Sequence, residues 1–205
     1  MAQHIPQQIT GKSLDCFETI DTASTVDAQQ LFDKIKTKIL QVNNWHQITG
    51  KASAEFAVMD EHGLDLKRSV QKGDYIRIDI PGPGLPSANG YDWVQVEAIR
   101  EEFKEGTRRF SLTLRPSPDP SGDNTDTAHF FKQISSSSIL LEQKENHLAL
   151  HYAGRNEVVN TSNSAILDNL RNFMVGLGAK MGASFPQWRA LIEGLANLYP
   201  QKTIK

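Results

Sequence analysis

Hydrophobic spacing changes twice along this chain, and the order of those changes limits the folds open to it. Over Thr25–Val42 the apolar residues Ala28, Leu31, Phe32, Ile35, Ile39 and Val42 recur every three or four positions. That spacing puts them on one face of a helix with lysines outside. From Ala54 to Glu157 the spacing falls to two, as in half-buried strands. From Ser164 to Tyr199 the helical spacing returns. Strands gathered in the middle, with helices on either side, favour an α+β fold in which an antiparallel sheet packs against helices; a parallel sheet needs strands and helices in alternation. At 205 residues, 39% of them hydrophobic and 22% charged, the chain is long enough for one core. A single domain over 1–205 is therefore the expectation.

The strands can be placed more closely. Leu14 to Ile20 reads as a short first strand, with Leu14, Cys16, Glu18 and Ile20 on one face and Phe17 on the other. Asp21 to Thr25 is rich in turn residues, and Thr25 can cap the helix that follows. Asn43-Asn44 ends that helix and Trp45 comes at once, with no second short helix evident between them. Ala54, Phe56 and Val58 share a face, as do Ile76, Ile78 and Ile80, then Val94, Val96 and Ala98, then Phe110, Leu112 and Leu114. Asp60 to Gly63 reads as a turn and Gly106 as a hairpin turn; Ile139–Leu141 and Leu148–Tyr152 read as a last hairpin turning at Glu145-Asn146. Residues 1–12 read as a loose lead-in, and 81–90 and 116–126 as exposed loops in which proline and glycine exclude regular structure. The helical region 164–199 divides in two: Ser164 caps a first helix, and Ser184-Phe185-Pro186-Gln187 has the spacing of a capping box opening a second through Trp188, Leu191, Ile192 and Leu195.

Several function classes fall away. A net charge of −2 gives no concentrated basic field, so no nucleic acid partner is expected. No stretch reaches the roughly 20 apolar residues of a membrane span. Cys16 is alone, which excludes an internal disulfide and suits a reducing compartment. The opening Met1-Ala2-Gln3-His4-Ile5-Pro6 lacks the basic start and apolar core of a secretion signal, so a cytoplasmic location is expected. Gly176, Gly178 and Gly182 give the wrong spacing for a dinucleotide loop, and close helix packing explains them better. His147 and His151 share a strand face but need a third ligand to make a zinc site. Leu148, Leu150 and Tyr152 take the buried side and leave both histidines wet. No metal and no cofactor are expected. Cys16 has no activating neighbour in sequence and reads as a small buried hydrophobe. A homodimer stays open.

Taken together, the run Phe17-Glu18-Thr19-Ile20-Asp21 to Leu31-Phe32, the Asn44-Trp45 pair after it, the antiparallel strands and the C-terminal helix resemble the START-like, helix-grip superfamily of polyketide cyclases and lipid-transfer proteins. The resemblance implies that Ser164 to Met181 is the gripping helix and that an apolar cavity lies between it and a curved sheet. It implies inward positions at Ile76, Ile78, Val94, Val96, Leu112, Phe173, Met174 and Leu177, with Trp45 counted among the ligand-binding residues. Tyr91 and Trp93 stand beside the loop 81–90, which reads first as a connection between two strands; the functional alternative is a lid over such a pocket.

Three functions remain open. The first is binding of an apolar or amphipathic small molecule, which requires a cavity not filled by its own phenylalanines. The second is a cyclase, isomerase or hydrolase on the same scaffold, with His46, Asp92 or Arg77 turned into the cavity. The third is a protein-interaction module, which requires an exposed apolar patch near Trp188 and Leu195.

Overall fold

The computed structural model describes residues 4–49, 54–79, 91–122, 131–158 and 184–199. Within them lie the strands β1 (Lys12–Asp21), β2 (Glu55–Met59), β3 (Tyr75–Asp79), β4 (Asp92–Lys104), β5 (Thr107–Pro116), β6 (Ser136–Lys144) and β7 (His147–Glu157). Helices α1 (Thr25–Leu40), α2 (Trp45–Thr49) and α3 (Ser184–Ala196) complete the set. The strands form one curved antiparallel sheet in the order β1-β7-β6-β5-β4-β3-β2, so the first strand closes against the last. The loop 81–90, the residues 164–183 and the last part of 116–126, from 123 on, lie outside the described residues.

Helix α1 forms where the three- and four-residue spacing places it, and Ala28, Leu31, Phe32, Ile35 and Ile39 are all buried. Its cap is Ser24 rather than Thr25. Ser24 has the extended backbone of a capping residue (φ −153, ψ 163), and its Oγ accepts the Asp27 amide at 3.1 Å. Thr25 is already inside the first turn. Ser24→Ala is expected to lower stability by about 1 kcal/mol, read as a shift in the urea midpoint at unchanged slope. At the other end the chain tightens into a 3-10 turn, Val42–Asn44, and α2 begins at Trp45. The Trp45 indole is fully buried, and its Nε1 donates to the carbonyls of Lys38 (3.2 Å) and Ile39 (3.1 Å). Both carbonyls belong to the last turn of α1, where helical partners run out, although Lys38 also accepts from the Gln41 amide at 3.3 Å.

One face of the sheet carries the core. Along it run Cys16 and Ile20 of β1, Leu148, Leu150 and Tyr152 of β7, Ile139 and Leu141 of β6, and Phe110, Leu112 and Leu114 of β5. Ile76 and Ile78 of β3 and Phe56 and Val58 of β2 continue it. The alternation read from β4 breaks at a bulge. Val96 pairs with Leu114, but Ala98 pairs with Thr113 and Ile99 with Leu112. Glu97 is the additional residue, so Ile99 turns into the core and Ala98 out of it. Both hairpins turn where expected, at Glu105-Gly106 (φ 52 and 74) and at Glu145-Asn146 (Glu145 φ 56).

The opposite face is partly covered as well. Ser111, Thr113, Ser138 and Ala153 are buried on it, and the Thr113 and Ser138 hydroxyls bond at 3.1 Å. Residues 4–11 are tied down rather than loose. His4 Nδ1 lies 2.8 Å from Ser111 Oγ and its Nε2 3.1 Å from Glu102 Oε1. Asn156 Oδ1 accepts the amides of Ile9 (2.7 Å) and Thr10 (3.1 Å), its Nδ2 donates to the Gln7 carbonyl (2.9 Å), and its own amide donates to Gln8 Oε1 (2.8 Å).

Candidate interior site

The described helices lie over the core face unevenly. Helix α1 crosses β5, β6 and β7, while α3 lies on β1, β7 and α2. Helix α2 reaches β2 at the far edge. Between them runs a strip of β3 and β4 on which no described helix lies broadly, although its side chains share one buried apolar cluster with those of α1, α2 and α3. It carries Ile76, Ile78, Val94 and Val96.

Four aromatic rings form one wall beside that strip. Trp45 meets Phe56 edge-on with ring centres 5.1 Å apart, and Trp188 stands 6.0 Å from Trp45. Tyr152 stacks flat on Trp188 at 4.8 Å and 15°. Two strands, α2 and α3 therefore meet through ring contacts, which add to the area they bury. The Tyr152 hydroxyl is not left bare: it lies 3.0 Å from Ser137 Oγ. Burial drives the Tyr152 pKa upward, with the nearby Glu157 charge contributing.

Glu157 is the second polar element of this interior. Its carboxyl lies over the Cα of Gly154, which faces the core between Ser137 and Leu14. A Cβ added at Gly154 would come within 2.3 Å of Glu157 Oε1. Burial raises the Glu157 pKa against the opposing pull of Lys12 and Arg155. A carboxyl raised in the folded state supplies stability that is complete below the ordinary carboxylate range and is lost as pH rises through the raised value. Glu157→Gln is accordingly expected to be more stable than the parent at neutral pH, the gap closing in acid. Paired denaturation curves at the two pH values check this; a gap that widens in acid refutes it.

The residues expected at the site separate into groups. Trp45, Ile78, Val94, Val96 and Leu112 lie in one buried cluster on the core face. Phe173, Met174 and Leu177 lie outside the described residues. Tyr91 and Trp93 sit on the other face with Met59 and Tyr75, because Val94 and Val96 take the inward positions. Of the three polar candidates, His46 is exposed on α2 and Arg77 lies over the Tyr91 ring at 4.6 Å on the far face. Only Asp92, opposite Ile78 and buried, is on the core side. The patch required of an interaction module is not found at its expected place: Leu195 is fully buried and Trp188 is engaged by Tyr152. Ser137, Tyr152 and Glu157 were not singled out by the sequence as a group. The signal available was Asn156, a residue that tolerates left-handed backbone, placed just before a glutamate.

The two histidines are occupied on the outer face. His147 Nδ1 lies 2.5 Å from Asp21 Oδ1, and His151 Nε2 lies 2.6 Å from Asp15 Oδ1. Arg155 joins Asp15 at 2.7 Å, and Phe17, 61% exposed, stacks on the His151 ring at 3.9 Å. Burial pushes the Asp15 pKa up, but Arg155 and His151 outweigh it and hold the carboxyl below its usual range. Cys16 is buried, and burial raises its thiol pKa, which makes it a poor nucleophile. A separate groove of about 550 Å³ opens between α1 and the hairpin tips, lined by polar residues such as Gln29, Asp33, Arg108 and Gln143.

No protein family profile and no curated protein matches the chain. Solved structures do. A hypothetical protein from Helicobacter pylori is 11% identical, with 92% of this chain and 88% of that one covered, at a TM-score of 0.50. Norcoclaurine synthase from Thalictrum flavum is 7% identical over 96% of this chain and 100% of that one, at a TM-score of 0.43. A Streptomyces aromatase/cyclase is 10% identical over 92% and 96%, at 0.40. At such identities the likeness is one of fold alone, an α+β arrangement of a curved antiparallel sheet with helices on one face and at the C-terminal end. Among the described residues, no helix is long and apolar enough to cross a membrane.

Proposed function

We propose that this protein binds an apolar or amphipathic small molecule in the interior between the sheet and the C-terminal helical region. The observation that carries the reading is the strip of Ile76, Ile78, Val94 and Val96. Described helices engage the sheet on both sides of it, through α2 at β2 and through α1 and α3 at β5 to β7 and β1. An aromatic wall stands beside the strip and few polar groups face it, which is the chemistry of a ligand pocket. The positions proposed to line it are Trp45, Ile78, Val94, Val96 and Leu112 together with Phe173, Met174 and Leu177.

Native mass spectrometry of protein purified from its host, followed by denaturing extraction, tests the reading. The expected result is a stoichiometric adduct of a lipid-like or aromatic compound. Val94→Trp is expected to remove that adduct while leaving the far-UV circular dichroism unchanged. A clean unliganded mass, or an adduct that survives Val94→Trp in a folded protein, counts against it.

A further inference from the structure

The placement of Glu157 is not what a regular strand gives. Residues three apart on a strand face opposite ways, so with Gly154 turned to the core, Glu157 belongs on the outer face. It lies instead over Gly154, on the core side. The cause is a local irregularity. Asn156 has φ 55, in the left-handed region, and the pairing of β7 with β1 shifts between Lys12 and Leu14. That insertion rotates the strand by one position and delivers the carboxyl inward.

The irregularity is held from several directions. Four hydrogen bonds join Asn156 to Gln7, Gln8, Ile9 and Thr10, and its carbonyl accepts from Ser135 Oγ at 2.7 Å. Residues 7–10 thus act as a strap across the end of β7. A desolvated carboxyl is unfavourable unless something bonds it. Among the described residues no hydrogen bond reaches the Glu157 side chain. Arg155 is committed to Asp15, and among the described residues no cation comes within 4 Å of Glu157. Left-handed backbone kept at a non-glycine position, in order to turn a carboxyl inward, points to a use for that carboxyl.

We propose that Glu157, with the Ser137 and Tyr152 hydroxyls beside it, is the polar anchor of the interior site. It receives the hydrogen-bond-donating head, an alcohol, phenol or amine, of a ligand whose body is apolar. This rests on the reading that the interior binds a small molecule. The aromatic wall takes the body, the carboxyl accepts from the head, and the Ser137–Tyr152 pair holds a second acceptor in place. Gly154 is required because any side chain there would occupy the position of the carboxyl.

Three probes of one shape separate the parts: naphthalene-methanol, naphthyl-methylamine and ethylnaphthalene, titrated by calorimetry and by quenching of tryptophan fluorescence. The parent protein is expected to bind the alcohol and the amine about tenfold more tightly than the hydrocarbon, as one hydrogen bond to a charged group supplies. Glu157→Leu is expected to abolish that preference and keep the hydrocarbon. Glu157→Gln, the gentler change, is expected to weaken the amine and spare the alcohol. If the hydrocarbon binds and neither variant alters the order, the anchor is wrong and the interior site stands. If none of the three binds, the interior reading falls and the anchor with it.

Discussion

Replacing Trp45 by alanine is expected to lower stability by about 4 kcal/mol, the middle of the range for removing a fully buried aromatic side chain. Three losses coincide there. The ring leaves a cavity against Phe56 and Trp188, and α2 loses its anchor on the sheet. The Ile39 carbonyl loses its donor at the end of α1, while the Lys38 carbonyl keeps the Gln41 amide at 3.3 Å. Trp45→Phe keeps most of the ring contact and gives up the donor, so about a third of the loss is expected from it, given the unmet need of the buried Ile39 carbonyl. Urea denaturation by circular dichroism measures both. A loss below about 1.5 kcal/mol for the alanine variant would show that the aromatic wall is not a structural joint.

Gly194→Leu is expected to lower stability by about 3 kcal/mol, at the high end for overpacking. A Cβ at Gly194 would come within 2.6 Å of both the Ile48 Cγ2 and the Ile48 carbonyl oxygen. The methyl can move, but the carbonyl belongs to the backbone of α2 and cannot shift without the helix. The contact between α2 and α3 therefore depends on having no side chain at one position. Gly106 makes the contrast, since a Cβ there meets nothing within 4 Å and the need is only for a positive φ. Gly106→Asn is expected to change stability by less than about 1 kcal/mol, since asparagine tolerates that backbone. Equal losses at the two glycines would refute the close-approach argument.

Spacing reveals elements when every residue of an element obeys one period. The α1 stripe and the paired faces of β3 and β5 do, so they could be read directly. Counting by two cannot detect an inserted residue, and both departures on the sheet are insertions. Glu97 sends Ile99 inward in place of Ala98, and Asn156 sends Glu157 inward. The first moved one core residue; the second hid the most polar member of the candidate site. Ser24 and Thr25 both have a hydroxyl suited to capping, and only the extended backbone at Ser24 decides between them. The strap over β7 was hidden for another reason: a polar segment looks loose unless its partners are known, and Asn156 lies 146 residues from Thr10.

The pairing of the first strand with the last governs the order in which the chain can fold as it is made. Asp21 meets His147, 126 residues later. At about 5–20 residues per second, β1 leaves the ribosome roughly 6–25 s before its partner exists. The apolar stripe of α1 waits about half as long for β5 and nearly as long for β7. For that interval the ten-residue strand lacks its sheet partner and the helix face lacks its full cover, so truncations before β7 are expected to aggregate.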